Sequence, residues 1–508
     1  MRNFILSGLM LGSLYTQAQE PVDALRLSRF APTGSARSIA IGGAMTALGG
    51  DISSVNTNPA GIALFKTNEL VLSPGFNFTN NKGVYLDGND RAKASEFNYG
   101  MSGFVFATPP RREGGWKNFS YAITASRTAD FNNRFAFKGK NTRSSYSEKY
   151  LEDLINAGER DPNRAATEYP FGPSLAINTY LIEPELDAQG NATGYYSMAT
   201  PQTGVQQEQL VNTTGGISTI SFAGSANLND KLYLGASLNL ESIKFTREQT
   251  FKESDLSGKK NNNFNYFTVE DYLQTSGSGL NLKAGLIFKP VDYIRLGLSI
   301  HTPTFYDLSD RYNTTITTDL EGYSGQGVLK QSTSDLLGQF GEYAYQFLNP
   351  WKIQTGFSYV IREIEDVTQQ KGFITAEVEF LNYGNGEFSD PNNPGSNYFQ
   401  DLNNVISQQF QNAINMRIGG ELKFNTIMTR AGFGYYSNPY LDADINGTRL
   451  TVSGGLGWRN KGKFIDLTYM HNIVKDGYYP YRLNDNYFAP VNIKGGAGNV
   501  LLTFGFKF

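Results

Sequence analysis

Apolar and polar residues alternate over the last nine positions of the chain. The apolar positions of one face are Val500, Leu502, Phe504, Phe506 and Phe508. The intervening positions include a threonine, a glycine and a lysine. Alternation with a period of two predicts a β-strand with one apolar face. In a barrel embedded in lipid, such a face meets the acyl chains while the polar face lines the lumen.

The same alternation recurs along the chain in fourteen segments, most of them long enough to cross a bilayer at a tilt. They are residues 69–79, 95–107, 118–129, 216–228, 231–249, 272–288, 293–303, 346–360, 371–383, 412–425, 427–437, 448–459, 463–473 and 497–508. An even number of strands is typical of bacterial single-chain barrels. The pattern predicts an all-β fold, a fourteen-stranded antiparallel transmembrane β-barrel spanning residues 69–508.

Short and long connections alternate between these segments. The linkers after the even-numbered segments are short, such as residues 229–230 and 460–462, and the others are mostly long. The longest are residues 130–215, 303–345 and 384–411. Outer-membrane barrels have short periplasmic turns and long extracellular loops. We therefore expect both chain ends at the periplasmic side and the three long loops outside the cell.

Charged residues share the second face of the predicted strands. In residues 293–301, Arg295 opposes a row of leucines and isoleucines, and Arg417 does so in residues 416–424. A charge on the lipid face costs roughly 2–4 kcal/mol at midplane, so this face is predicted to line the lumen. The same parity places Lys423, Arg430 and Arg459 there. We expect these cations to pair with lumen carboxylates that hold a plug or to meet a ligand carboxylate.

The composition excludes several classes of function. The chain has 54 glycines, 35 phenylalanines and 30 tyrosines, but no cysteine and only two histidines, His301 and His471. Neither histidine lies in a metal-ligand spacing, and the sequence has no nucleophile motif. The net charge of −3 gives no reason to expect nucleic-acid binding. We predict a non-enzyme without a cofactor or metal.

Residues 1–18 read as a signal peptide. Arg2 supplies the positive charge, Phe4–Leu14 is a short apolar core, and Thr16 and Ala18 supply small residues before a cleavage site. The apolar core is too short to span a bilayer. An exported chain without cysteine and with repeated amphipathic strands points to the outer membrane of a Gram-negative bacterium.

Residues 19–68 lack strand periodicity and are rich in small residues. They include Gly42 and Gly43 in a glycine-rich run, then Asn58, Pro59 and Ala60. Small residues permit close backbone packing, and glycines and Asn-Pro pairs favour turns. A barrel of fourteen strands is wider than those filled by their own side chains, so we expect this segment to plug the lumen.

The run from Gly34 through Gly42-Gly43 to Asn58-Pro59-Ala60-Gly61 resembles the N-terminal hatch of the long-chain fatty-acid transporter family, the FadL/TodX-like proteins. The resemblance implies passive uptake of a hydrophobic small molecule or fatty acid, with a lateral exit at a kinked strand. Residues 95–107 and 118–129 are candidates for that strand. The terminal Phe508 resembles the signature that the barrel-assembly machinery reads. The expected partners further include outer-membrane lipids and lipopolysaccharide, and we expect a monomer.

Two of the long loops carry apolar residues at helical spacing. In residues 130–215 these include Leu151 and Leu154, with the further apolar residues Phe171 and Leu175 after them, and in residues 384–411 they include Phe399 and Leu402. Amphipathic helices above a barrel can form an apolar groove that receives a ligand, or they can pack on each other as a cap. With Arg295 and Arg417, these six residues are the candidate ligand contacts.

Two other functions stay open. The resemblance also covers barrels that act as shuttles or scaffolds for secreted proteins in type IX secretion, for which loop 130–215 would be a docking surface. A channel for aromatic hydrocarbons or haem is a further alternative, although two histidines offer little for haem ligation.

Overall fold

A computed structural model describes residues 19–109, 115–362, 371–442, 445–484 and 486–508. The predicted signal peptide and the acidic run Glu363–Asp366, which the sequence places in a periplasmic turn, lie outside the described residues. Within the described ranges, no helix is both long and apolar enough to span a bilayer.

Twenty-one of the described strands form one antiparallel sheet, and β7 and β8 form a separate hairpin. The strands are β1 (Glu69–Leu72), β2 (Pro74–Tyr85), β3 (Gly88–Tyr99), β4 (Ser102–Ala107), β5 (Trp116–Asp130), β6 (Asn133–Asn141), β7 (Ile182–Leu186), β8 (Ala192–Ser197), β9 (Val205–Leu228), β10 (Leu232–Asp255), β11 (Tyr266–Val291), β12 (Ile294–His301), β13 (Phe305–Asp319), β14 (Leu329–Ser332), β15 (Gly341–Leu348), β16 (Lys352–Ile361), β17 (Gly372–Asn382), β18 (Glu387–Ser389), β19 (Asn412–Phe424), β20 (Ile427–Tyr436), β21 (Arg449–Asn460), β22 (Lys463–Tyr478) and β23 (Val491–Lys507).

The described helices lie in the N-terminal segment and in the long loops. They are α1 (Pro21–Arg26), α2 (Ala36–Ala40), α3 (Ser54–Thr57), α4 (Glu148–Ala157), α5 (Pro162–Glu168), α6 (Pro173–Asn178), α7 (Thr333–Leu337) and α8 (Asn397–Gln409). A 3-10 helix at Pro59–Leu64 follows α3.

The sheet closes into a barrel because the last strand pairs with the first. β23 pairs with β1 from Glu69↔Lys507 to Leu72↔Phe504 and with β2 from Gly75↔Leu501 onward. Several short strands continue one another, as β1 continues into β2 and β12 into β13, so fourteen segments surround the lumen. The predicted fold class and strand number are confirmed.

The exterior carries a belt of exposed apolar side chains. On β12, Leu296, Leu298 and Ile300 are 40–47% exposed, whereas Arg295 on the other face is 9% exposed. The same alternation holds on β23, where Phe506 is exposed and Thr503 is fully buried. Only lipid makes such a surface stable, so the barrel spans a membrane with its charges inside.

Several strands extend beyond the segments that the sequence predicts. β9, β10 and β11 contain 24, 24 and 26 residues, and their outer halves form a wall above the membrane belt. The predicted loop 130–215 therefore contains β6 and the start of β9, and loop 303–345 contains β13 and β14. On this wall the exterior positions of β10 become polar, as at Lys244 and Glu248. The apolar-outward pattern that marks a membrane strand ends there.

Candidate functional site

Residues 19–68, the N-terminal segment, lie inside the barrel and rest directly on its wall. Three cross-strand pairs of inward-facing glycines receive three parts of the segment: Gly235 with Gly285, Gly297 with Gly356, and Gly419 with Gly432. A Cβ atom at any of these glycines would collide with or crowd the segment's main chain or the Asn58 side chain. The wall is glycine here because the segment's backbone occupies the space of a side chain.

The Asn58-Pro59-Ala60 motif lies over the first glycine pair. The Asn58 side-chain amide donates to Thr46 O at 2.6 Å and to the β11 carbonyl of Leu286 at 3.1 Å. Its carbonyl oxygen accepts from the Ala60 amide at 3.1 Å, which caps the 3-10 helix. Asn58 thus ties two parts of the N-terminal segment to the wall.

Gly42 and Gly43 form the turn over the third glycine pair. Both have positive φ angles, +71° and +79°, which side-chain-bearing residues rarely adopt. The Gly42 amide donates to Ile39 O at 3.0 Å and also lies 3.2 Å from Ser453 Oγ on β21. The sequence-predicted residues of the hatch therefore lie at contacts between the N-terminal segment and the wall.

Glu377 on β17 binds the same segment electrostatically. One of its carboxylate oxygens accepts from the amides of Met45 and Thr46 at 3.1 and 3.0 Å and from the Thr46 hydroxyl at 2.7 Å. The other oxygen binds Arg417, which also contacts Glu379 at 2.7 Å. Arg417, a candidate ligand contact, is thus engaged by two buried carboxylates.

A second buried ion cluster lies nearer the periplasmic end. Arg430 contacts Glu421 and Asp466, each at 2.6 Å, and Arg37 of the N-terminal segment contacts Glu421 at 3.2 Å. On the opposite wall, Arg295 Nη1 donates to Leu48 O at 2.7 Å. Of the lumen cations that the sequence predicts, Arg295 contacts the N-terminal segment directly, whereas Arg417 and Arg430 bind the wall carboxylates Glu377 and Glu421 that contact it.

At the extracellular end of the lumen, α1 fills an aromatic pocket. Leu25 and Leu27 are buried in a cluster with Phe399 and Leu402 of α8. The other buried members include Tyr306, Tyr345, Phe347 and Phe388 from the wall. Part of the chain itself therefore occupies the apolar space that the two α8 candidates were predicted to offer a ligand.

Polar contacts fix the start of α1 over this pocket. The Gln19 amide donates to Asp310 at 2.9 Å, and Tyr398 of α8 donates to Gln19 O at 2.9 Å. Burial raises the pKa of Asp310, which lies above the membrane belt, to about 6, and the nearby Asp23 carboxylate adds to this. Asp310 is therefore expected to titrate closer to neutral pH than a free carboxyl group does.

The loop between β6 and β9 forms a dome with a core of its own. Leu154 of α4 and Leu175 of α6 are fully buried there, and Leu151 packs against them. Phe171 lies at the edge, with its ring 4.6 Å from that of Tyr312 on β13. These four candidates therefore lie apart from the aromatic pocket around α1, and the two loops do not form one site.

The buried carboxyl group of Glu253 is expected to make the stability of the folded dome depend on pH. It is fully buried on the outer part of β10 and accepts from Ser145 Oγ, Gln207 Nε2 and the Tyr146 amide. Burial raises the pKa of Glu253 to about 7 in spite of these donors. A raised carboxyl pKa stabilises the folded dome below the unfolded pKa of about 4.3, and this contribution is lost as the pH rises through 7.

We expect opening of the dome to require up to about 3 kcal/mol less free energy at pH 8 than at pH 5, and Glu253→Gln to remove most of this difference. Native-state proteolysis with thermolysin at pH 5 and pH 8 measures this free-energy difference through the cleavage rates. The Glu253→Gln variant, cleaved under the same conditions, corrects for the pH dependence of the protease itself. If the ratio of the cleavage rates at pH 8 and pH 5 were the same in the wild type and in Glu253→Gln, the assignment to Glu253 would be wrong.

A cavity of about 140 Å³ lies between the N-terminal segment and the wall. Phe30 and Tyr383, which belong to or pack against the aromatic pocket, form part of its lining. Most of the other lining residues are polar, and they include Lys283, His301, Lys352, Glu241, Glu379 and Arg417, with Thr128 of β5. The cavity therefore connects the aromatic pocket to β5.

Next to this cavity, the second barrel segment, formed by β3 and β4, separates from its neighbour β5. Among the described residues, β4 pairs with β5 only from Ser102↔Ala125 to Ala107↔Ser120. The chain bends at Gly100 and Met101, whose amides donate to Ser73 O at 2.7 Å and to Gly34 O at 2.9 Å instead of to β5. In the described part of the chain, the β3-facing edge of Ser126–Asp130 is thus left without a paired strand. Thr128 lies in a bulge of this stretch, with its hydroxyl 2.8 Å from Thr219 Oγ1 on β9.

Sequence reasoning missed the wall glycines, Glu377, Lys283 and Lys352. Strand parity places all of them on the lumen face, so the alternation contained the signal for their orientation. The contacts of the glycines, Glu377 and Lys283 with the N-terminal segment depend on how that segment folds, and the alternation does not encode this. Lys352 contacts Glu379 on β17 at 3.6 Å.

Solved structures of other proteins share this fold. A Pseudomonas aeruginosa FadL homologue matches with a TM-score of 0.57 at 13% identity, over 95% of this chain and 100% of that chain. The P. putida toluene transporter TodX matches with a TM-score of 0.51 at 13% identity, over 94% and 99% of the two chains. The Ralstonia pickettii toluene transporter TbuX matches with a TM-score of 0.50 at 14% identity, over 95% and 100%.

No protein-family model and no curated protein matches the sequence. The structural likeness shows the fold, a fourteen-stranded barrel with an N-terminal segment in its lumen. This barrel with its lipid-facing belt lies in a bacterial outer membrane.

Proposed function

We propose that this protein takes up hydrophobic small molecules such as long-chain fatty acids by passive diffusion across the outer membrane. The observation that carries the proposal is that the aromatic pocket, the lumen cavity and the strand with the unpaired edge adjoin one another. Phe30 and Tyr383 contact both the pocket and the cavity, and Thr128 of β5 lines the cavity. An apolar solute enters where α1 packs against α8. The helix α1 is short, and its apolar side chains occupy the space that a ligand would fill.

The solute leaves through the wall between β3 and β5. Gly100 and Met101 turn the second segment away from Ser126–Asp130, and Thr128 links this edge to the cavity. Tyr99 reaches across to Ser218 on β9, where its hydroxyl donates at 2.8 Å, and so covers the passage. A lateral exit of this kind delivers an apolar molecule to lipid rather than to water.

Aromatic hydrocarbons are the second candidate substrate. Two of the structurally similar proteins are toluene transporters. The same aromatic pocket fits a ring as well as an alkyl chain. In either case, uptake requires the edge at Thr128 to stay open.

Thr128→Trp tests the path. We expect the variant to retain the apolar ligand but to lower oleate-dependent growth about tenfold, because an indole on the unpaired edge fills the exit. The host is a Gram-negative strain without its own fatty-acid channel, and ligand retention is measured by native mass spectrometry of the gently purified protein. Thr250→Trp, on the exposed exterior of β10, is the matched control.

Unchanged growth of the Thr128→Trp strain would overturn the exit. A wild-type protein that copurifies with another protein, holds no apolar molecule and supports no growth would overturn uptake in favour of the secretion shuttle, with the dome as its docking surface.

A further inference from the structure

Four basic residues form one row on the outside of the barrel. Lys82 on β2 is paired with Arg91 on β3 and with Lys494 on β23. Lys494 is paired in turn with Lys475 on β22. Residues that oppose each other on neighbouring strands point to the same side of the sheet, with their Cβ atoms roughly 5 Å apart. This basic row, Arg91–Lys82–Lys494–Lys475, therefore brings four positive charges together on four adjacent strands.

The basic row faces away from the lumen. On β2, Lys82 lies on the same side as Phe76 and Phe78, which are 50% and 44% exposed. The intervening positions Asn81 and Tyr85 are buried on the lumen side. Since paired residues share a side of the sheet, all four cations project from the exterior of the barrel.

The row lies just beyond the extracellular rim of the lipid-facing belt. The hydroxyl of Tyr469 lies 3.1 Å from His471 Nδ1 on the exposed side of β22, and a tyrosine with a polar partner is typical of the membrane interface. Lys475 comes four residues after His471, and Lys82 comes four residues after Phe78. Four residues of a tilted strand rise roughly 10 Å, so the row lies at the depth of lipid head groups.

The charges of the row are not balanced on this face of the sheet. The neighbouring carboxylates Asp90 and Asp476 pair with Gly83 and Ile493, so they project from the opposite side. Among the residues that the structure describes, no ion pair involves any of the four cations. Like charges directly opposite each other destabilise a sheet. The row thus offers uncompensated positive charge to an anion from outside the chain.

The exterior of the wall around β11, β13 and β15 has a different arrangement. There, basic and acidic side chains alternate and pair across strands, Arg311 with Glu342 at 3.5 Å and Lys330 with Glu270 at 3.8 Å. Mixed charges of this kind suit a surface covered by water. A row of one sign is therefore a local feature of the four strands from β22 to β3.

We propose that the basic row binds the phosphate groups of lipopolysaccharide in the outer leaflet. Lipid A, its membrane anchor, carries phosphates on its sugar head group at this depth. Lysine and arginine bind phosphate through charge-assisted hydrogen bonds. Three strand spacings separate Arg91 from Lys475, about 14 Å, which is wide enough for a sugar head group with phosphates at its two ends. The inference goes beyond the proposed uptake, since it concerns the exterior surface and not the lumen.

The acyl chains of the same lipid have an apolar surface directly below the row. Phe76 and Phe97 pack edge to face there, with ring centroids 5.7 Å apart, and Phe78 lies between them and the row. All three rings are exposed on the exterior. Cations above and aromatic rings below are the order in which an anionic lipid presents its head group and its chains.

Native mass spectrometry of the purified full-length protein tests the site, with lipid A as the probe in a magnesium-free buffer. We expect the wild type to bind lipid A about tenfold or more tightly than lipid A from which the phosphates have been removed. Lys82→Gln combined with Lys494→Gln should lose this preference and keep its affinity for the dephosphorylated lipid. Arginine at both positions should retain the preference. Lys244→Gln combined with Lys330→Gln, which removes the same charge from the wall around β11, is the matched control.

Equal affinities of the wild type for the two forms of lipid A would overturn the site. The same loss of preference in the control as in the Lys82 and Lys494 variant would assign the effect to net charge and overturn it as well. Inorganic phosphate that competes as strongly as lipid A would make the row a site for small anions rather than for a lipid. Oleate-dependent growth should be unchanged by Lys82→Gln with Lys494→Gln, so failure of the lipid site and failure of the proposed uptake are separate results.

Discussion

Replacing Arg430 with methionine is expected to destabilise the barrel by about 3–5 kcal/mol, the largest effect of any single substitution considered. The Arg430 side chain is fully buried and contacts Glu421 and Asp466, each at 2.6 Å. Its removal leaves two carboxylates facing each other inside the lumen with fewer donors. Burial of an uncompensated charge is among the most destabilising changes in a folded protein.

Equilibrium unfolding in guanidinium, with the protein in lipid vesicles, measures the change as a shift in midpoint at constant slope. Arg459→Met is the matched control, since Arg459 lies 3.8 Å from the same Asp466 and its side chain is 28% exposed. We expect the control to lose about 1 kcal/mol or less. Adding Asp466→Asn to Arg430→Met should recover part of the loss, because Glu421 keeps its contact with Arg37 at 3.2 Å and one of the two facing carboxylates no longer carries a charge. A loss below 1 kcal/mol for Arg430→Met alone would contradict the assignment.

The alternation of apolar and polar residues predicts the barrel because lipid imposes it on every membrane strand. It assigns the outward leucines of β12 and the inward Arg295 correctly. It fails on the outer halves of β9, β10 and β11, because water covers their exterior and positions such as Glu248 need not be apolar. The sequence therefore predicts the number of strands but not the height of the wall.

The candidate site residues also have some features that a local sequence pattern predicts and others that it does not. The sequence marks Leu154, at helical spacing, and Leu175 as apolar residues that face either a ligand or a cap, and both are fully buried. Spacing alone does not say what covers them, and the cover is the dome's own core rather than a ligand space. Likewise, parity places Arg417 in the lumen, but its partners come from β17, a strand separated from it along the chain by loop 384–411. Long-range pairing decides the function of each residue, and a local pattern contains no information about it.

Replacing Gly432 with valine is expected to expel the N-terminal segment from the third glycine pair while leaving the barrel folded. A Cβ at Gly432 would overlap the Gly42 amide and the Ile41 carbonyl carbon. Backbone atoms cannot move aside as a flexible side chain can, so the segment must leave or shift. Valine itself suits a strand, so β20 keeps its pairing. Overpacking of about 1–3 kcal/mol raises the undocked population by roughly 5-fold to 150-fold.

Two measurements report this release. Planar-bilayer recordings should show conductance events that the wild type lacks, because a fourteen-stranded barrel without its plug is close in width to porins that enclose water. Trypsin should cleave after Arg37, which is 8% exposed and paired with Glu421 while the segment is docked.

Gly454→Val is the matched control for this release. Gly454 pairs with Ala431, the chain neighbour of Gly432, but faces the exterior, where an added Cβ comes no closer than 3.7 Å to its neighbours. Gly454→Val should show no conductance events beyond those of the wild type and should resist cleavage by trypsin. If the two variants show the same conductance and the same trypsin cleavage, the glycine pairs are needed for strand packing and not for docking of the N-terminal segment. If only Gly432→Val conducts and is cleaved, the close contact of the segment's backbone with the wall is what keeps the lumen shut.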